Sequence, residues 1–141
     1  MDGFTAAIYD RLASDGTLTA LLATYAGEPA VFTTDPAPGD ADLPYIVSAG
    51  QVSDAAYDTK TTQGREVRRD VRCYASCDGS AATVEAIAER VRALLHRHAL
   101  TIAGYDTWIS ECSGPISADE EEAYGRVVSL RLIAMESEDG S

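Results

Sequence analysis

The residues whose types could do chemistry are few and scattered. They are three cysteines and two histidines: Cys73, Cys77, Cys112, His96 and His98. The CxxxC spacing of the first two cysteines matches neither a redox CxxC nor a common zinc motif, and the histidines lack the spacing of an HExxH pair. A thiol nucleophile would combine Cys112 with a distant histidine, but no flanking motif supports it. We therefore expect Cys73 to be a small buried hydrophobe and the histidines to complement a helix dipole at the surface.

Other catalytic and metal-binding signatures are also missing from the sequence. The acidic run Glu120, Glu121 and Glu122 lacks the spaced oxygens and glycine of a calcium loop, so we interpret it as a solvated turn. There is no GxGxxG, Walker loop or GxSxG motif, and we expect neither a metal nor a cofactor. The pattern favours a binding or structural role, and a small cytosolic α+β enzyme or ligand-binding domain is the alternative.

Positive charge is concentrated in one segment of an acidic chain. The 141 residues carry a net charge of −12, whereas the stretch from Lys60 to Arg72 is net positive. Its cations are Lys60, Arg65, Arg68, Arg69 and Arg72. The overall acidity argues against general affinity for nucleic-acid phosphates or anionic membranes. The N-terminus MDGFTAAIYD resembles no secretory signal, and no window reaches the apolar length of a membrane span.

The basic segment has two interpretations. On the solvent face of an antiparallel sheet, its charges would pair with cross-strand neighbours. At a subunit interface, the basic strand of one copy would meet an acidic surface on the next copy, because an acidic chain needs local complementarity to self-associate. We also expect Asp58, in the adjoining loop, to belong to this interface.

The periodicity predicts a single α+β domain over residues 1–141, with residues 136–141 as a flexible tail. Helices are expected at Phe4, Ile8 and Leu12 (capped by Asp2 and stopped by Gly16), from Leu18 to Tyr25, and from Ser80 to Arg97. Strands are expected over 30–33, 45–49, 66–75, 105–112 and 125–136, and a polar projecting loop over 51–64. We expect an antiparallel sheet of about four to five strands with helices packed mainly on one face.

Two strands carry features that period-two alternation does not explain. In the strand over 66–75, Arg69 interrupts an apolar face, so it should lie at the sheet's edge, pair with an acid or meet another subunit. In the last strand, the second face carries Val127, Arg131, Ile133 and Met135, which is more apolar than a solvated face needs. We expect Arg131, Ile133 and Met135 to contact a protein partner.

Four segments resemble the tail terminator or tail completion proteins of long-tailed bacteriophages and gene transfer agents. They are AIYDRLASDGTLTALLA, LPYIVSAG, YDTKTTQGREVRRDVRCYA and AATVEAIAERVRALLHRHALTIAGY, in this order, from about Ala6 to Tyr105. The resemblance implies an α+β virion protein, not an enzyme, that forms a hexameric ring at the head-proximal end of the tail tube. Such a ring stops tube polymerisation, presents the docking surface for the head connector, and lets DNA pass during ejection.

The resemblance also implies roles for particular residues. Asp58 to Arg72 would contribute to ring or tube contacts, Tyr74 matches an expected bulky aromatic, and Leu43 to Tyr45 matches a turn. The acidic insertion at Asp119 to Glu122 and the C-terminal EDGS depart from the family pattern. If acidic residues line the ring's lumen, they would repel phosphates, so that the duplex would slide without binding.

Overall fold

The computed structural model describes residues 3–34, 37–48 and 52–137. Its helices are α1 (Gly3–Ala13), α2 (Gly16–Thr19) and α3 (Ala82–Leu95). Its strands are β1 (Thr24–Tyr25), β2 (Glu28–Pro29), β3 (Val31–Phe32), β4 (Tyr45–Val47), β5 (Ser53–Ala56), β6 (Gly64–Ser76), β7 (Tyr105–Ser117) and β8 (Ala123–Glu136). Within these ranges, no helix has the length and apolar character needed to cross a membrane.

The architecture is α+β, and one six-stranded sheet dominates it. The strand order is β3-β4-β6-β8-β7, and β5 also pairs with β6, beyond the end of β4. The long strands β6, β7 and β8 form antiparallel ladders, as the sequence predicts. The sheet has one more strand than the upper predicted number, and β3 pairs with β4 in parallel. A separate two-stranded sheet joins β1 to β2.

The helices form the main core against one face of the sheet. Alternate residues of β6, including Val67, Val71 and Cys73, point into this core and are fully buried. The facing helix residues follow three-and-four spacing: Phe4, Ile8, Leu12, Val84, Ile87, Val91 and Leu95. Burial of Cys73 is therefore confirmed, and it raises the pKa of that thiol to about 12.

The predicted second helix is wrong in both position and length. The sequence predicts Gly16 as the end of the first helix, but helix α2 begins there. It begins at Gly16 because the Asp15 carboxylate accepts a hydrogen bond from the Leu18 amide at 2.8 Å. Tyr25 instead lies in the β1–β2 hairpin. Ala26 and Gly27 form its turn with φ of 53° and 83°, the left-handed geometry that short hairpins use.

The predicted loop over 51–64 is partly a strand. β5 pairs with β6 in antiparallel register, and the turn between them closes with the Tyr57 amide donating to the Gly64 carbonyl at 2.8 Å. We call residues 52–63 the arm; nearly all are exposed. At the other terminus, Glu136 still belongs to β8, and the Ser137 amide donates to Gly104. The rest of the expected tail, Gln51, and the expected cap Asp2 lie outside the described residues.

Candidate assembly interface

Strand β6 divides the basic segment between the two faces of the sheet. Arg65 and Arg69 point toward the helices, whereas Arg68 and Arg72 point toward the opposite face, which we call the open face. The strand thus does not present one continuous basic surface, and each cation has to be considered in its own surroundings.

Arg65 is engaged within the subunit. Its guanidinium forms an ion pair with the Asp54 carboxylate of β5 and lies 4.6 Å from the centre of the Phe4 ring. The ion pair with Asp54 raises the pKa of Arg65, so the side chain stays charged. Arg65 therefore fixes β5 and α1 to β6 and offers little charge to a partner.

Arg69 is buried in the helical layer, with 2% of its surface exposed. Its Nη1 donates to the Thr5 Oγ1 of α1 at 2.6 Å. Of the three alternatives that the sequence left for Arg69, a position on an edge strand does not apply, because β6 has β8 on one side and β4 and β5 on the other. Burial in the single subunit removes Arg69 from the surface that we propose below.

Replacing Thr5 with valine is expected to lower the free energy of unfolding by about 1.5–3 kcal/mol, the range for hydrogen bonds to charged groups. Valine keeps the shape of threonine but removes the hydroxyl that accepts a hydrogen bond from the buried Arg69 Nη1. Denaturant unfolding measures the effect, and Thr5→Ser, which keeps the hydroxyl, is the control. Equal stability of the valine and serine variants would contradict this role.

On the open face, most charges are already paired. Arg131 of β8 donates to Glu66 Oε2 at 2.8 Å and lies 3.7 Å from the Glu111 carboxylate, while Ser129 donates to Asp70 at 2.9 Å. These contacts support the cross-strand interpretation for Glu66 and Asp70. Arg68 lies directly opposite Arg131, is exposed, and makes no ion pair with any described residue.

Only three of the eleven basic side chains are exposed, and all eleven lie in the described ranges. They are Lys60 in the arm, Arg68 on the open face and Arg97 after α3. Most of the others bind acids or carbonyl groups of the same chain. Arg90, for example, makes two hydrogen bonds with the Asp15 carboxylate, and these bonds lower the pKa of Asp15. Few cations thus remain to meet a carboxylate of a partner.

Ile133 and Met135 are covered within the subunit, and each is only 1% exposed. The Met135 sulfur packs over Gly64: a Cβ at Gly64 would lie 2.3 Å from it and 2.7 Å from the Tyr57 carbonyl oxygen. Met135 of β8 therefore packs on Gly64, the first residue of β6, next to the Tyr57 carbonyl of the arm. Like Arg69, Ile133 and Met135 are too buried in the single subunit to belong to a surface that contacts a partner.

Arg72 and Tyr74 lie at the other end of the open face, beside a small second cluster. Tyr74 packs on Tyr45 with ring centres 5.5 Å apart, next to Leu43 and Val47, and its hydroxyl donates to Glu120 at 3.1 Å. Burial is the main cause that raises the pKa of Tyr74. The turn and the aromatic residue singled out by the resemblance thus contact each other, and Arg72 is half-buried beside them.

Residues in the last turn of α3 and just after it close part of the free edge of β7. Arg92 Nη1 donates to the carbonyls of Cys112 and Gly114 at 3.1 and 2.8 Å, and the Arg97 amide donates to Ser110 at 2.6 Å. His96 Nδ1 accepts from the Cys112 amide at 3.0 Å. These bonds protect the edge from pairing with another strand. Their signal in the sequence is only the position of these residues at or just after the end of a helix and before a strand.

The contact between His96 and Cys112 does not build a thiol nucleophile. The imidazole binds the backbone amide rather than the sulfur, and burial raises the pKa of Cys112 to about 11. In the acidic turn, Asp119 accepts from Arg126 at 3.0 Å and Glu120 accepts from Tyr74, so two acids of this turn serve the fold.

Comparisons of this chain with known protein families and solved structures agree with this architecture. A family model described as tail completion protein gp17 matches residues 6–136. A chain in the solved structure titled "Virion of native gene transfer agent (GTA) particle" has the same fold, with a TM-score of 0.74, 23% identity, and coverage of 95% of this chain and 94% of that chain. No curated protein sequence matches the chain. The chain belongs to the tail completion protein gp17 family and is a structural protein of the virion tail.

Proposed function

We propose that six copies of the chain form a ring at the head-proximal end of the tail tube. The ring ends tube polymerisation and carries the surface on which the head connector or stopper protein docks. The family model over residues 6–136 supports this function most directly. The likeness of the whole fold to a chain of a gene transfer agent virion supports the assignment to a tail particle.

The proposed contact between copies uses the cations that the fold leaves exposed. Arg68 lies in an open groove of about 440 Å³ on the open face, lined also by Val52, Glu111 and Ser129. Arg68 and Lys60 would meet carboxylates of the next copy, which a chain with 23 acidic residues supplies in excess. Asp58, in the same arm, completes this surface.

The remaining acidic surface suits a passage for DNA. A wall of the same sign as the phosphates repels them, so the duplex passes through the ring without specific binding. Tight binding of DNA that does not change with salt concentration would contradict this part of the proposal.

Polymerisation of tail tube protein in the presence and absence of the chain tests the proposed function. We expect capped tubes of limited length in its presence and continued growth in its absence, measured as a length distribution in electron micrographs. Identical distributions at saturating concentrations of the chain would overturn tube termination. Capture of purified connector protein on capped but not bare tubes tests the second role.

A further inference from the structure

The large exposed apolar side chains fall into two groups at opposite edges of the sheet. In the described residues, Val52 and Tyr57 lie in the arm beside β5, with 62% and 41% of their surface exposed. Trp108 and Ile116 lie in β7 and are 59% and 62% exposed. Since β5 and β7 are at opposite edges, a contact between the groups joins copies head to tail, which is the type of contact that closes a ring.

The β7 side is built for side-chain docking rather than for strand pairing. Arg92, His96 and Arg97 already occupy its backbone groups. Beside them is an open cavity of about 330 Å³, lined by Arg97, His98, Thr107, Trp108, Ser110 and Glu111. Arg97 is exposed and makes no ion pair within the described ranges, so the cavity joins an aromatic wall to a free cation.

The arm carries the complementary groups in adjacent positions. Tyr57 is an exposed aromatic residue, and Asp58 follows it. Asp58 Oδ1 accepts a hydrogen bond from the Gly64 amide at 3.2 Å, which orients the carboxylate and leaves its second oxygen available. Tyr57, like Trp108 and Arg97 on the β7 side, is of a residue type that is enriched among interface residues that dominate binding.

We propose that Tyr57 of one copy enters the cavity beside Trp108 of the next copy, and that Asp58 pairs there with Arg97. This inference rests on the proposed ring and identifies the surface that receives the arm. The contact fixes the direction in which copies join, because the arm and the cavity are different surfaces of each copy.

A charge exchange tests the pair. Arg97→Asp and Asp58→Arg should each weaken self-association by about tenfold or more, and the double variant, whose net charge equals that of the native chain, should recover most of the loss. Aspartate tolerates the left-handed backbone of Arg97, whose φ is 58°. Ala86→Glu, on the exposed side of α3, is the control for added negative charge. Additive losses in the double variant would overturn the pair.

Trp108 fluorescence tests burial at the contact, because Trp108 is the sole tryptophan. We expect a blue shift and protection from acrylamide quenching when rings form, and loss of both changes in Tyr57→Ala. Rings in which Trp108 stays fully quenchable would overturn this inference but leave the ring intact. A two-fold dimer that buries Trp108, or burial only against tube protein, would also overturn it. Failure to assemble under any condition, tubes included, would overturn the ring itself.

Discussion

Replacing Arg68 with glutamine is expected to abolish ring assembly while leaving the subunit folded. Arg68 is exposed and makes no ion pair with the described residues, so its loss costs the isolated chain little. If it meets a carboxylate of the next copy, each contact loses about 2–5 kcal/mol, which is roughly 30-fold or more in affinity. Arg68→Glu should have a larger effect, because it places like charges together.

Light scattering, over a range of protein and salt concentrations, measures the mass of the assembly that each Arg68 variant forms. Electron micrographs measure the length of the tail tubes that form in the presence of each variant. Ala86→Glu changes the net charge by the same single unit as Arg68→Gln, at an exposed position of α3 away from the open face. It should assemble as the native chain does. Normal assembly and normal tube length for both Arg68 variants would remove this side chain from the mechanism.

Replacing Gly64 with alanine is expected to lower the free energy of unfolding by about 1–3 kcal/mol and to impair assembly as well. The added Cβ would lie 2.7 Å from the Tyr57 carbonyl and 2.3 Å from the Met135 sulfur. The first contact is with backbone, so relief requires movement of the arm away from Gly64 of β6. Movement of the arm would displace Asp58 and Lys60, which belong to the proposed contact between copies, and assembly should therefore be impaired.

Thermal unfolding and solution mass measure the two effects, with Gly39→Ala as control, since a Cβ there meets no atom within 4 Å. The control should match the native chain in both measurements. Native stability of Gly64→Ala would contradict the close packing of Gly64 against the Tyr57 carbonyl and Met135. Reduced stability with unchanged assembly would separate the arm from the contact between copies.

The spacing of apolar residues, every second residue in strands and every third or fourth residue in helices, predicted the main elements of the fold. It located α1, α3, β6 and β8, because each element buries an apolar face whose spacing is visible in the sequence. Helix α2 was misplaced since one hydrogen bond, from the Leu18 amide to Asp15, sets its start. β5 was missed because all four of its residues are exposed, so burial imposes no alternation on them.

The candidate site was less predictable, because charge in the sequence does not reveal which charges are already paired. The basic segment was recognised, but Arg65 and Arg69 serve the helical layer, and Arg131 binds Glu66 and Glu111. Ile133 and Met135 looked like a partner surface because alternation along a strand does not show which side chains the same subunit covers. The cavity beside Trp108 and Arg97 was not predicted, since the exposure of these two residues depends on a fold in which β7 lies at an edge.

The central claim is that tail completion by this protein depends on a closed ring held by complementary contacts between copies. Cryo-electron microscopy of tail tubes capped by the chain tests it most directly. We predict six copies around the tube axis at one end, with Arg68 of each copy within 4 Å of a carboxylate of its neighbour, the ordinary limit for an ion pair. Bare tube ends, or a ring in which Arg68 faces solvent away from every neighbouring copy, would contradict the account.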